Sequence, residues 1–273
     1  MNRREFQRSL AAAATALVFP FHNRETPAQA TPSTQPLLLP SKPKPREIAM
    51  LVYPKLTALD LIGPQYAFAS IMGANVSLVA KTLEPVVSDT GISINPNLTF
   101  QTCPHNLDVL FVPGGSYGTT AAMTHAATVD FVRDRGSRAT WVTSVCTGSM
   151  VLGAAGLLQG KRATSHWLVR EKVLPLLGAT PVNERVVQDG NRITGAGVSA
   201  GLDLGLTVVN LIMGAEYAQA VQLMEEYAPQ PPFHAGTPES AGTRITTMMM
   251  DMHKEFLKNA TDAALQAKAR LSS

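Results

Sequence analysis

The residue whose type and setting most directly permit chemistry is Cys146, in the run Ser144-Val145-Cys146-Thr147-Gly148. A nucleophile elbow needs a strand, a tight turn with the nucleophile at its apex and a helix, with small residues two places to either side. Ser144 and Gly148 fill those flanks. At the start of a helix, free N–H groups and the positive end of the dipole favour a thiolate. The same amides, with those around Gly114 and Gly115, are placed to stabilise negative charge developing on a bound substrate. Cys103, ahead of Pro104 in a loop, lacks this setting and reads as structural. A Cys103–Cys146 bridge is the alternative for both, although a core of this size needs no staple.

A reacting thiolate requires a proton donor or base, and two residues qualify. Asp60 lies in Leu59-Asp60-Leu61-Ile62-Gly63-Pro64, read as a loop after the first strand. Apolar neighbours desolvate such a carboxyl, raise its pKa and keep it protonated, able to act as general acid. Its structural alternative is an N-cap for the helix that follows. His166, in Ser165-His166-Trp167, opens another helix and either lines the pocket or serves only the surface. Position 147, directly after the cysteine, is threonine.

These residues must be brought together by the elements around them. Glu47–Tyr53, Val76–Ala80, Leu107–Val112 and Thr140–Val145 read as strands, and residues 85–101 as a β excursion. Helical patterns cover about Ile62–Met72, Ala126–Arg135, Gly148–Leu158 and Trp167–Leu177. A polar hairpin is expected over 181–194, then a long helix after Val198 and a last one over about Gly242–Arg270. Strands alternating with helices predict an α/β fold, doubly wound, with a mostly parallel sheet covered on both faces. Active sites in such sheets gather outside the carboxyl ends of the strands. Asp60, Gly114, Gly115 and Cys146 all fall there.

The ends of the chain carry a different message. Asn2-Arg3-Arg4-Glu5-Phe6 matches the core of a twin-arginine export signal, followed by an apolar stretch over Ser9–Phe21 and the cleavage pattern Ala28-Gln29-Ala30. The stretch is too short to span a bilayer, which takes about 20 residues. The expectation is therefore a signal peptide over 1–30 and a periplasmic mature protein with no stable membrane association. Residues 31–46 carry five prolines and form a linker. One domain occupies 47–273. Removing 1–30 takes away four basic and two acidic side chains and leaves charge nearly balanced, with no basic patch to grip nucleic acid. The run Met248-Met249-Met250-Asp251-Met252-His253 spreads around a helix axis and is expected to serve packing rather than soft-metal binding.

At these motifs the chain resembles the ThiJ/PfpI superfamily of class I glutamine amidotransferase-like proteins, within it the branch that hydrates isonitriles. The resemblance runs from about Ile48 to Pro238. It is carried by Leu59–Pro64, Val112-Pro113-Gly114-Gly115, Thr143–Ser149, Arg162–Trp167 and Glu226–Phe233. It implies a flavodoxin-like fold, a homodimer, and no metal or organic cofactor. It places the nucleophile on Cys146, the assisting acid on Asp60 and a helper hydroxyl on Thr147, with Gly114, Gly115 and His166 about the substrate. Peptidase relatives have histidine where Thr147 stands, and Ala196 replaces a glycine expected beside the site. The activity implied is that of a hydro-lyase converting an isonitrile, a small-molecule substrate, to an N-substituted formamide. Two other classes compete: a redox sensor in which Cys146 oxidises, and a ligand-sensing module. Only one helix is expected beyond the matched region, too little for a DNA-reading motif.

Overall fold

A seven-stranded sheet forms the centre of the computed structural model, which describes residues 44–272. The expected export signal and most of the proline-rich segment lie outside the described residues. In chain order the strands are β1 (Arg46–Leu51), β2 (Ala74–Ala80), β3 (Val86–Val87), β4 (Ser93–Ile94), β5 (Leu98–Thr99) and β6 (Val109–Val112). There follow β7 (Trp141–Val145), β8 (Arg162–Ala163), β9 (Thr180–Pro181), β10 (Val186–Asp189) and β11 (Arg192–Gly195). The central order is β10-β11-β7-β6-β1-β2-β5, parallel throughout except where β10 and β11 form the polar hairpin. All four residues of β6, Val-Leu-Phe-Val, are buried. That is the pattern of a central parallel strand covered on both faces.

The helices are α1 (Ala58–Ala69), α2 (Ser116–Thr124), α3 (Ala126–Arg138), α4 (Gly148–Ala154), α5 (Trp167–Val173), α6 (Ala200–Met213), α7 (Ala215–Met224), α8 (Pro238–Met252) and α9 (Lys254–Ser272). α1 and α6 pack together on one face of the sheet, with α7 against α6, and α2, α3, α4 and α9 pack on the other. From β1 the chain winds outward through β2 and β5, then returns to β6 and winds the opposite way through β7 and β11. The reversal lies between β1 and β6, and a crevice opens at the carboxyl ends of strands at such a point.

Several boundaries differ from expectation for identifiable reasons. α1 starts at Ala58, four residues early, because the Thr57 N–H donates to the Gly114 carbonyl (2.9 Å) and its own carbonyl accepts from Asp60 N–H (3.1 Å). Pro64 therefore sits inside the helix and cannot donate to the Asp60 carbonyl. α2 was not anticipated from its Ser-Tyr-Gly-Thr-Thr start. It forms by pressing on the chain before α1, so closely that a Cβ at Gly118 would lie 2.5 Å from the Pro54 carbonyl oxygen. α4 stops at Ala154, and the segment read as one helix to Leu177 changes at Leu174 to a 3-10 turn containing Pro175. The long helix after Val198 breaks at Gly214 into α6 and α7, and the last into α8 and α9 at His253.

α1 and α6 cross at unusually short range. A Cβ at Gly205 would meet the Ala67 Cβ at 2.8 Å. Gly205→Val is therefore expected to cost about 1–3 kcal/mol through overpacking, read by urea unfolding. Gly236→Ala, where a Cβ meets nothing within 4 Å, is the control expected to leave stability unchanged.

Candidate active site

Cys146 follows β7 with φ of 58°, a left-handed conformation that costs a non-glycine residue about 1–3 kcal/mol. The surroundings hold it there. Its N–H faces the carbonyls of Gly195 (3.1 Å) and Ala196 (2.6 Å), while its carbonyl accepts from Ser165 Oγ (2.9 Å) and Ser149 Oγ (3.3 Å). The next turn runs so tightly over β6 that a Cβ on Gly148 would lie 2.2 Å from the Val112 carbonyl oxygen. This is the nucleophile elbow read from the sequence. Ser149 and Ser165, which clamp it, were not singled out there. Cys103 and Cys146 are both free thiols, so they form no bridge.

Asp60 meets the cysteine from the other side of the switch point. It lies in the first turn of α1 rather than in a loop, and Thr57, not Asp60, occupies the N-cap position. The carboxyl is fully buried. Oδ2 accepts from Gly114 N–H at 3.0 Å, Oδ1 is buried without a hydrogen-bond partner, and the Cys146 thiol is the side chain near enough to lower the carboxyl's pKa. Burial lifts its pKa from 3.8 to about 7, outweighing the lowering by the thiol and by Gly114 N–H. Helix dipole and amides were expected to favour the thiolate. Instead, burial, followed by the charge of Asp60, pushes the thiol well above its usual range, against a smaller pull from the N–H and hydroxyl of Thr147. The two groups titrate as a pair.

The glycines act differently from the expected free donors. Gly114 N–H is bound to Asp60 and Gly115 N–H to Thr147 Oγ1 (3.0 Å). They hold the polar side chains instead of standing open to substrate. At Gly114 any side chain would intrude, since a Cβ would lie 2.7 Å from both Asp60 Oδ2 and Thr147 Oγ1. Thr147 is buried and also contacts Thr119 Oγ1 (2.8 Å), which contacts Tyr53 Oη (3.1 Å), which donates to the Pro113 carbonyl (2.7 Å). Tyr53 and Thr119 carry no motif, and only the register of the β1 and β6 ends brings them together.

His166 lies at the site's outer edge. It lines a cavity of about 650 Å³ with Leu59, Trp167, Arg170, Ala196 and Gly197. Its Nδ1 caps α5 by accepting from Leu168 N–H (3.3 Å), and burial, with help from His253 and Arg170, lowers its pKa to about 4. It is neutral at physiological pH. Among the described residues no group of three or more His, Cys, Asp or Glu side chains could hold a metal ion, and no helix is long and apolar enough to cross a membrane. The methionine run departs from expectation. α8 buries none of its residues, and Met248, Met250 and Met252 are exposed.

The switch-point crevice with an elbow cysteine and a buried carboxylic acid defines a class, and the comparisons agree with it. Residues 46–211 match the DJ-1/PfpI family, to which the chain belongs. It is 47% identical over 226 residues to isonitrile hydratase of Pseudomonas putida, covering 83% of this chain and 98% of that one. The crystal structure of a ThiJ/PfpI family protein from Pseudomonas syringae superposes with a TM-score of 0.81 at 50% identity, over 87% of this chain and 98% of the other. Drosophila melanogaster DJ-1beta shares the fold, with a TM-score of 0.62 at 22% identity over 68% of this chain and all of that one.

A carboxyl whose pKa is higher folded than unfolded contributes stability fully below its unfolded value and loses it as pH rises through the folded one. Stability is therefore expected to fall between the ordinary aspartate value of 3.8 and about 7. Asp60→Asn should remove this decline and be more stable than the parent above pH 7, by on the order of a few kcal/mol. Thermal unfolding across pH checks this. Parallel curves for the two proteins would refute it.

Proposed function

We propose that the protein hydrates isonitriles to N-substituted formamides, with Cys146 as nucleophile and Asp60 as acid and base. The observation that carries the reading is the buried, coupled Cys146–Asp60 pair in a chain 47% identical to an isonitrile hydratase over nearly all of that relative. In its reactive form the pair holds one proton. With that proton on Asp60, Sγ attacks the terminal carbon of R–N≡C to form the S–C bond, and the carboxyl delivers the proton to the same carbon, giving the thioimidate R–N=CH–S. Water then adds to this carbon while the Asp60 carboxylate takes its proton and passes it to nitrogen. Collapse returns the hydroxyl proton to Asp60, breaks the S–C bond and releases R–NH–CHO. One water is consumed, and thiolate and carboxylic acid are restored.

Other features support this chemistry over peptide cleavage. Position 147 offers no imidazole, and His166 is neutral with Nδ1 engaged as a cap. A small neutral electrophile needs neither, and a cavity that sets Leu59, Trp167 and Ala196 among polar side chains such as Arg170, Asn183 and Glu239 adjoins the elbow, where the Cys146 N–H faces the Ala196 carbonyl. Purified protein given a simple alkyl isonitrile should yield the formamide. Cys146→Ser should abolish turnover, and Asp60→Asn should lower kcat by about 100- to 10,000-fold. Stoichiometric peroxide oxidation of Cys146 with no formamide formed would instead favour a sensor.

A homodimer belongs to the same proposal. Leu59, Ile62 and Tyr66 are 54%, 49% and 46% exposed at helical spacing on α1. Apolar stripes of this kind mark interfaces. Since Leu59 also lines the cavity, a partner seated there would shape its opening. Ile62→Glu is expected to convert a dimer to a monomer in light scattering at unchanged fold. A parent protein that is monomeric at micromolar concentration would rule the interface out.

A further inference from the structure

Three buried hydroxyls behind the cysteine have one proton each, and counting those protons constrains what Thr147 can do. Tyr53 Oη donates to the Pro113 carbonyl at 2.7 Å. Its contact with Thr119 at 3.1 Å then requires Thr119 as donor, and the 2.8 Å contact between Thr119 and Thr147 requires Thr147 as donor. Gly115 N–H donates to Thr147 Oγ1, adding no acceptor for its proton. In this arrangement every contact is satisfied and the Thr147 proton points away from the sulfur. The opposite arrangement runs Tyr53 to Thr119 to Thr147 to Sγ. It gives up only the bond to the Pro113 carbonyl and gains one to the sulfur. All three side chains are buried, so no bulk solvent competes for these protons.

We propose that Tyr53 and Thr119 are positioning residues, forming with Thr147 a hydroxyl relay that reverses direction with the charge on Cys146. When the thiol proton moves to Asp60, sulfur becomes the strongest acceptor in reach and the relay turns toward it. When sulfur is bonded to carbon or to a proton, the relay turns back to the Pro113 carbonyl. A hydrogen bond to an ionised acceptor is roughly twice as strong as one between neutral groups, which is what drives the reversal. Only hydroxyl rotations are involved; no covalent bond is made or broken in the relay. The titratable side chains coupled to the sulfur are Asp60 from α1 and Tyr53 after β1.

The relay predicts an effect opposite in sign to simple damage. Tyr53→Phe removes the step that ties the chain to the Pro113 carbonyl, and Thr119→Val removes the acceptor of the Thr147 proton. Either frees that proton for sulfur and stabilises the thiolate. Alkylation of Cys146 by iodoacetamide, followed across pH and assigned by peptide mass spectrometry to separate it from Cys103, should be about three- to tenfold faster at neutral pH in both variants, with its midpoint shifted down. Thr147→Val should not be faster, and adding it to Tyr53→Phe should cancel the gain. If one variant fails to fold, the other carries the test. Unchanged or slower alkylation in the folded variants, or a gain that survives loss of the Thr147 hydroxyl, would overturn the relay. The inference rests on the proposed role of Cys146 as a thiolate nucleophile but not on the substrate. Alkylation therefore reads it even where no formamide is produced.

Discussion

The structure is organised around one constraint: Cys146 and Asp60 are buried against each other where only one negative charge is tolerable. Burial raises both pKa values; the charge of Asp60 raises that of the thiol further, while the hydrogen bond from the thiol lowers that of Asp60 without offsetting its burial. The pair therefore keeps a proton between them near neutral pH. Bringing them together requires the ends of β1, β6 and β7 to meet at the switch point, with α1 starting directly after β1 so that its first turn delivers the carboxyl. It also requires an empty position at Gly114, where a side chain would displace Asp60 or Thr147. The left-handed backbone at Cys146 is a local cost of about 1–3 kcal/mol, met by four hydrogen-bond contacts to its N–H and carbonyl.

The elbow was legible because its signal is local: an apolar strand, small flanks and a Gly/Ala-rich helix. The parallel sheet was legible for a similar reason, as the buried Val109–Val112 run leaves no polar face. Asp60 was found by its apolar neighbours, and the sign of its pKa shift followed from them. Its placement in a helix was not found. The start of α1 is fixed by a hydrogen bond from Thr57 to Gly114, 57 positions away in sequence, which no local pattern carries. The sign for the thiol was missed because the dipole of a short helix is weaker than full burial beside a carboxylate. Gly114 and Gly115 were read as donors to substrate, but a sequence does not reveal that side chains already occupy their amides. Tyr53, Thr119, Ser149 and Ser165 are common residue types whose roles arise only from long-range contacts. The methionine run shows the converse, since spacing around a helix says nothing about whether another surface covers it.

Family membership fixes the architecture more tightly than the chemistry, because one elbow on this fold serves several reactions. What narrows the chemistry is the set of groups within reach of sulfur. There is no imidazole base in position, and the nearest titratable partner is a carboxyl that is partly protonated near pH 7. A nucleophile and an acid side by side suit addition of both to one small centre. An isonitrile carbon has that character, accepting first the sulfur and then the proton.

A high thiol pKa looks unsuited to a nucleophile, yet the pair resolves this. A thiolate isolated in such a site would be costly, but the state needed for attack differs from the resting state only by transfer of one proton between neighbours. The net charge of the pair stays at minus one, so no second charge is desolvated. The proton still favours sulfur, because burial and the charge of Asp60 push the thiol well above its usual range while the carboxyl rises only to about 7, and groups that bond the thiolate narrow that gap. The Thr147 N–H and hydroxyl are such groups, each lowering the thiol pKa. A hydrogen bond of about 1 kcal/mol is small against full desolvation of a charge, but it changes the population of the thiolate state by roughly fivefold. The buried hydroxyls behind Cys146 act on that population directly, because they are the groups that can bond the sulfur without adding charge.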